Sequence, residues 1–268
     1  MQRVEFVGPH GVGKSTVFNQ LLKRRPRPAP WLTYYEARRK AATDQLFDNA
    51  SAKNLLKAAT CRIPGLGDIF ADAYIRHQAE RRFVEDADSP YHQFFNHCLR
   101  QIMTATSGHG PHRHQRECLP HLRPAHSLNL AWLFSKLKYL QFLEPMDITV
   151  VLDESITHCA VGLINERSTV AEPRECFRPL PPPHKLVHLS APVDEILDRL
   201  MRRSRDETSP RHLDLNQQQL RDKTRRISRL TEIAVSTLQW AGADVLQLDA
   251  MEPIEENVRR VEAFLHTD

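Results

Sequence analysis

The sequence predicts an α/β fold in which helices cover both faces of a parallel sheet. Two observations indicate this fold: short apolar runs that suit buried strands, and amphipathic helical stretches that separate them. The predicted strands are residues 3–7, 31–36, 147–152, 185–189 and 244–248. We therefore expect a five-stranded parallel sheet flanked by helices, and 268 residues are enough for a single large domain of this kind.

Start and stop residues locate several of the helices. A serine–proline pair and later prolines are typical of helix beginnings, and a glycine is typical of the position just past a helix end. The predicted helix beginnings are Ser89-Pro90, Ser127, Pro192 and Pro253, whereas Pro145 and Gly242 are predicted to lie just past the end of a helix. The longest predicted helix, at about 216–240, should bury Leu220, Ile227, Leu230, Ala234 and Leu238.

Composition limits the class of protein. The chain is 41% hydrophobic and 26% charged, as in soluble globular proteins, and no apolar run approaches the roughly 20 residues of a membrane helix. The first strand begins too early to leave room for a signal peptide. Five cysteines without C-x-x-C spacing indicate reduced thiols: Cys61, Cys98, Cys118, Cys159 and Cys176. We expect a cytoplasmic protein without a membrane partner.

The most specific motif is residues 8–15, Gly-Pro-His-Gly-Val-Gly-Lys-Ser, which fill every fixed position of G-x-x-x-x-G-K-[ST]. In this pattern backbone N–H groups cradle phosphates, the lysine reaches the β and γ phosphates, and the hydroxyl ligates Mg²⁺. We expect ATP to be held by Gly8, His10, Gly11, Val12, Gly13, Lys14, Ser15 and Thr16.

An acidic pair, Asp153-Glu154, follows the third predicted strand. A carboxylate at the end of a buried strand can hold Mg²⁺ directly or through water, so we assign the metal to Ser15 and Asp153. The alternative is that Asp153 caps Thr157 or neighbouring backbone.

Glu36 is the last residue of the second predicted strand, at the sheet edge where ligands bind in parallel α/β folds. It could accept a proton from an attacking hydroxyl, while Arg38 or Arg39 holds an anionic group. It could equally be an ordinary glutamate in the first turn of a helix. The sequence leaves both interpretations open.

An arginine-rich segment, residues 199–212, follows the fourth strand. Such a segment can close over phosphates and neutralise the charge that develops during phosphoryl transfer. We assign Arg199 and Arg203 to the transferring group and Arg205 to the nucleotide, with a solvated helix face as the alternative.

The stretch between the second and third strands is too long for a plain crossover, and its periodicity predicts a helical insertion at 40–126. Histidines crowd its end, at 109–126, around Cys118. Their spacing fits no standard zinc pattern. A metal site, an acceptor pocket and an exposed loop all remain open there.

These motifs together resemble the P-loop kinases of the thymidylate kinase and deoxynucleoside kinase type. The matches are Gly8–Thr16, Tyr35-Glu36, Asp153-Glu154-Ser155, the segment 199–212, and Asp244–Leu265 as the last strand and helix. The resemblance implies a P-loop NTPase fold and places Leu246–Met251 near the adenine. Glu154 stands where those kinases usually have arginine, and Ala37 where they usually have proline. The resemblance therefore does not identify the molecule that accepts the phosphate.

The sequence thus predicts an ATP- and Mg²⁺-dependent kinase that phosphorylates a hydroxyl or phosphate of a small molecule such as a nucleoside, nucleotide or sugar. Either Glu36 or Glu154 would be the base. The alternative is an ATPase or nucleotide switch acting on a macromolecule, for which the acidic pair after the third strand is the best support. A nucleic-acid partner rests on a formal charge of only +4 and is disfavoured. The oligomeric state is not predicted.

Overall fold

The computed structural model describes residues 1–48, 57, 66–106, 124–154, 156–165, 173–202 and 215–267. In this part of the chain five strands form one parallel sheet flanked by helices, which confirms the predicted architecture. The strands are β1 (Gln2–Val7), β2 (Leu32–Thr33), β3 (Thr149–Leu152), β4 (Lys185–Ser190) and β5 (Asp244–Asp249). Their order across the sheet is β2-β3-β1-β4-β5.

The helices fall between the strands as the periodicity predicts. Their bounds are α1 (Lys14–Arg24), α2 (Tyr34–Asp48), α3 (Leu66–Glu85), α4 (Pro90–Thr106), α5 (Pro124–Leu143), α6 (Ile156–Asn165), α7 (Pro173–Phe177), α8 (Val193–Met201), α9 (Gln217–Trp240) and α10 (Ile254–Leu265). No helix in the described ranges is long and apolar enough to cross a membrane. Cys98, Cys159 and Cys176 are reduced thiols there.

Two compact units divide the chain, and the first comprises residues 1–3, 30–152 and 179–181. It contains α2 to α5, with α3 packed against both α2 and α5. Its core is aromatic and aliphatic, because Phe83, Phe94, Leu133, Leu137 and Leu140 are all buried. The described residues between β2 and β3 are therefore mostly helical, in line with their periodicity.

The second unit comprises residues 4–29, 153–178 and 182–268. Its central helix is α9, which packs against α6, α7 and α8, while α1 packs against α10. All five residues predicted to be buried in α9 are buried. Gly242 follows the end of α9 with φ +100°, a left-handed conformation that glycine adopts without a steric penalty, so the predicted helix stop is confirmed.

Most predicted helix starts are confirmed. The Ser89 hydroxyl accepts a hydrogen bond from the His92 N–H at 3.2 Å, and Pro90 is the first residue of α4. Pro192 and Pro253 are the N-cap residues of α8 and α10, and Pro145 lies just past the end of α5. The prediction for Ser127 was wrong, because α5 already begins at Pro124 and Ser127 lies inside it.

The second strand is much shorter than predicted. It spans only Leu32–Thr33, and Tyr34 already begins α2. The prediction of a strand through Glu36 was therefore wrong at its carboxyl end. The reason is local: Thr33 and Glu36 cap the helix, as described below, and this overrides the β preference of the two tyrosines.

Candidate functional site

The 8–15 loop connects β1, at the centre of the sheet, to α1. From β1 the chain continues to β2 at one sheet edge, whereas from β4, the neighbour of β1, it continues to β5 at the other edge. Ligands of open parallel sheets bind where connections diverge in this way, beyond the carboxyl ends of the two strands. The loop thus occupies the topological switch point.

Three glycines determine the shape of this loop. Gly8, Gly11 and Gly13 have φ values of +155°, +85° and +111°, a region that L side chains rarely adopt. A Cβ atom on Gly8 would stand 2.5 Å from the carbonyl oxygen of Leu189, and one on Gly11 would stand 2.8 Å from Cγ of Leu200. The positive φ values favour glycine at all three positions, and close contacts exclude a larger residue at Gly8 and Gly11.

Lys14 is the first residue of α1, and its side chain folds back over the loop. Its ammonium donates hydrogen bonds to the carbonyl oxygens of Gly8 at 2.7 Å and Pro9 at 2.9 Å. The side chain is only 8% exposed. A positive charge is thus held inside the curve of the loop, where it can attract an anion.

The amino end of α1 is open to a ligand. Gly13 is its N-cap residue and supplies no side-chain cap, and the first turn contains no acidic residue. Ser15 and Thr16 are both exposed there. The partial positive charge at this helix end is therefore available to phosphate, and a hydroxyl stands beside it.

Arg199 links the loop to two other segments of the second unit. Its guanidinium donates to the carbonyl oxygens of Val12 at 3.0 Å and Ala250 at 3.1 Å. It also forms an ion pair with Glu195 at 3.0 Å, within α8. The predicted phosphate-neutralising arginine thus contacts the backbone of the loop itself.

The acidic pair comes directly before residues that contact β1 and the loop. Thr157, in the first turn of α6, donates its hydroxyl to the buried Glu5 carboxyl at 2.6 Å. The rings of His158 and His10 meet edge to face, with centroids 4.7 Å apart. These contacts hold the chain just after Asp153 against β1 and the loop.

Asp153 has the predicted capping role at neighbouring backbone, but it does not cap Thr157. Its Oδ1 accepts a hydrogen bond from the Glu154 N–H at 2.9 Å, whereas the Thr157 N–H points to Glu5 at 3.4 Å. Asp153 and Glu154 are both partly exposed. Asp153 therefore caps neighbouring backbone and keeps its other oxygen available for a further ligand.

Glu36 belongs to the first unit, where it forms a capping box. Its carboxylate accepts a hydrogen bond from the Thr33 N–H at 2.8 Å, and its own N–H donates to the Thr33 hydroxyl at 3.2 Å. Arg38, two residues on, is 8% exposed and stacks over the Tyr139 ring at 4.0 Å. Glu36 is thus a helix N-terminal glutamate and Arg38 a buried stacked cation.

His188 on β4 is a buried group that sequence reasoning missed. It is 5% exposed, and its Nδ1 lies 2.7 Å from the Gln247 side-chain oxygen. Burial lowers the pKa of His188; the Gln247 hydrogen bond and the charge of Glu232 oppose this, and the nearby charge of Lys14 adds to it.

The second unit thus brings together the loop residues, Asp153, Glu154 and Arg199. Arg203, Arg205, Ser155 and the histidines of 109–123 lie outside the described residues, and the described ranges contain no group of three or more potential metal-ligating side chains. No sequence signal reveals Glu5, because its partner lies 152 residues away. The capping box did have a signal, the Thr-x-x-Glu spacing at 33–36.

No protein-family model matches the chain, and no curated protein sequence matches it.

Proposed function

We propose that the chain is an ATP- and Mg²⁺-dependent phosphotransferase with a P-loop NTPase fold, and that its acceptor is a small molecule. The observation that carries the proposal is the geometry of the 8–15 loop. Three glycines with positive φ curve the backbone around the Lys14 ammonium, directly before the uncapped amino end of α1. Such a loop favours the phosphates of a nucleoside triphosphate.

The residues at the loop fit the donor nucleotide and its metal. Lys14 would steady the β and γ phosphates, exchanging its contacts with the Gly8 and Pro9 carbonyls for phosphate oxygens. The Ser15 hydroxyl and the Asp153 carboxylate are oxygen ligands of the kind that Mg²⁺ prefers. When bound, Mg²⁺ would supply charge neutralisation of the phosphates.

The reaction would transfer the γ-phosphoryl group. The acceptor oxygen forms a bond to the γ phosphorus, the bond to the β–γ bridging oxygen breaks, and the acceptor proton passes to a carboxylate. Glu154 and Glu36 are the two candidates for that carboxylate. Arg199, and with it Arg203 of the arginine-rich segment 199–212, would neutralise charge on the transferring group, and Arg205 would bind the nucleotide.

A transfer assay tests this function. The chain is incubated with Mg²⁺, ATP labelled in its γ-phosphate, and a panel of nucleosides, nucleotides, sugars and other hydroxyl compounds. We expect label in one acceptor class with the unmodified chain and with Lys23→Ala, an exposed lysine of the same helix, and none with Lys14→Ala. Hydrolysis that a macromolecule stimulates, without any labelled acceptor, would favour the ATPase or switch alternative.

A further inference from the structure

A second cleft of about 560 Å³ opens on the surface of the second unit. It lies between the short helix α7 and the last two turns of α9, and none of its lining residues belongs to the 8–15 loop. Its size falls in the range of small-molecule sites, roughly 300–1,000 Å³. The residues that matter here are Arg174, Glu175, Arg178, Ser236, Thr237 and Trp240.

Trp240 is the most unusual of these residues. Its side chain is 93% exposed, whereas Trp31 is 4% exposed. An indole is a large apolar surface that gains free energy when it is covered, so Trp240 can stack on a ligand. Because it is so exposed, Trp240 adds little to the packing of the fold. It offers a flat stacking face at one wall of the cleft.

The opposite wall is cationic. Arg178, the residue after α7, has a side chain that is 77% exposed and pairs with Glu175 at 3.3 Å, and Arg174 is an exposed residue of α7. Two guanidinium groups against one carboxylate give these lining residues a net charge of +1. Guanidinium groups are suited to phosphate because their planar donors match its oxygens in pairs.

Two hydroxyl groups lie on the α9 side. Ser236 and Thr237 both donate their protons to the Ile233 carbonyl oxygen, at 3.0 Å and 2.7 Å. With the proton committed to the helix, each hydroxyl oxygen can accept a hydrogen bond from a ligand. The cleft therefore favours a ligand that donates through hydroxyl groups.

We propose that this cleft is a second binding site, and that its ligand is a nucleoside monophosphate. The base would stack on Trp240, the ribose hydroxyls would donate to Ser236 and Thr237, and the phosphate would bind Arg174 and Arg178. Ring, hydroxyl donor and anion are the three features that the lining residues select together. The proposal does not depend on the phosphotransferase assignment, because the cleft shares no residue with that site.

Tryptophan fluorescence tests the proposal with AMP as the probe. A Trp132→Phe background leaves only the buried Trp31 and the exposed Trp240 as emitters. We expect AMP to quench the emission saturably, and adenosine or inorganic phosphate to bind at least about tenfold more weakly. Adding Trp240→Phe should abolish the quenching without changing the circular dichroism spectrum.

Charge variants complete the test. Arg174→Ala with Arg178→Ala should weaken AMP binding about tenfold or more, since two phosphate contacts are lost. Arg225→Ala should have no effect, because Arg225 is a similarly exposed arginine of α9 outside the cleft. Lys14→Ala should also leave the titration unchanged, which separates this site from the loop. No saturable quenching, quenching that survives Trp240→Phe, or an unaltered titration of the double arginine variant would overturn the proposal.

Discussion

The Glu5 carboxyl on β1 and the Thr157 hydroxyl on α6 form a 2.6 Å hydrogen bond in which both side chains are fully buried. It joins two segments that lie 152 residues apart in the sequence. Asp153 comes four residues before Thr157, and the 8–15 loop begins three residues after Glu5. This bond therefore fastens the acidic segment to the strand that precedes the loop.

Thr157→Val should destabilise the fold. Valine has nearly the same shape but offers no donor, so the buried carboxyl loses its hydrogen bond from the Thr157 hydroxyl, at a cost of about 2 kcal/mol. The free energy of unfolding in urea measures this. Thr231→Val is the matched control, because the Thr231 hydroxyl is equally buried but donates only to a carbonyl of its own helix, and it should cost less than about 1 kcal/mol. Equal losses of unfolding free energy in the two variants would show that the Thr157 hydroxyl does not stabilise the buried Glu5 carboxyl.

Glu36→Gln separates the two roles open to Glu36. Glutamine keeps the capping box, because its side-chain oxygen can accept from the Thr33 N–H, but it does not act as a general base. Stability should therefore be unchanged, whereas Glu36→Ala should cost about 1 kcal/mol. If Glu36 is the base, kcat for transfer falls about 100-fold or more in the glutamine variant. A normal kcat in Glu36→Gln and a reduced one in Glu154→Gln would assign the proton to Glu154.

Arg199→Ala should weaken nucleotide binding. The change removes the link between the Val12 and Ala250 carbonyl oxygens, so the loop loses a support that keeps it in shape. We expect KM for ATP to rise about tenfold. Arg202→Ala, an exposed arginine one turn on, is the control and should change KM little. Equal effects of the two variants would mean that general positive charge, and not the loop contact, is what matters.

His188 should make the fold sensitive to acid. Its pKa in the folded chain lies below the ordinary 6.5, so the unfolded chain takes up this proton first as the pH falls. Stability is therefore lost from about pH 6.5 downward, with a slope of at most about 1.4 kcal/mol per pH unit for one group. The slope should be shallower in His188→Asn, as measured by urea unfolding between pH 7.5 and 5. Parallel curves for the two proteins would contradict this.

The sheet could be predicted from the sequence because its strands are apolar runs between strong helix signals. Residues 185–189 and 244–248 became β4 and β5 with at most one residue added at an end. The carboxyl end of the second strand was not predicted, since Tyr34 and Tyr35 favour a strand by composition. The capping pair Thr33 and Glu36 outweighs them.

In the candidate site, too, local features could be predicted from the sequence, whereas contacts between distant segments could not. The loop was predictable because its glycines, lysine and serine act through the local backbone. Arg199 was placed on a helix face from its spacing, but its contact with the Val12 carbonyl depends on how α8 packs and has no local pattern. The same holds for His188 and Gln247, which meet only because β4 and β5 are neighbours in register.

Every proposed role at the first site depends on triphosphate binding by the 8–15 loop, and calorimetric titration with a non-hydrolysable ATP analogue measures this directly. The unmodified chain and Lys23→Ala should bind the analogue more tightly with Mg²⁺ than without it. Lys14→Ala should bind about tenfold or more weakly under both conditions. Absence of binding to the unmodified chain, or equal affinity in Lys14→Ala, would contradict the assignment of this loop to a nucleotide.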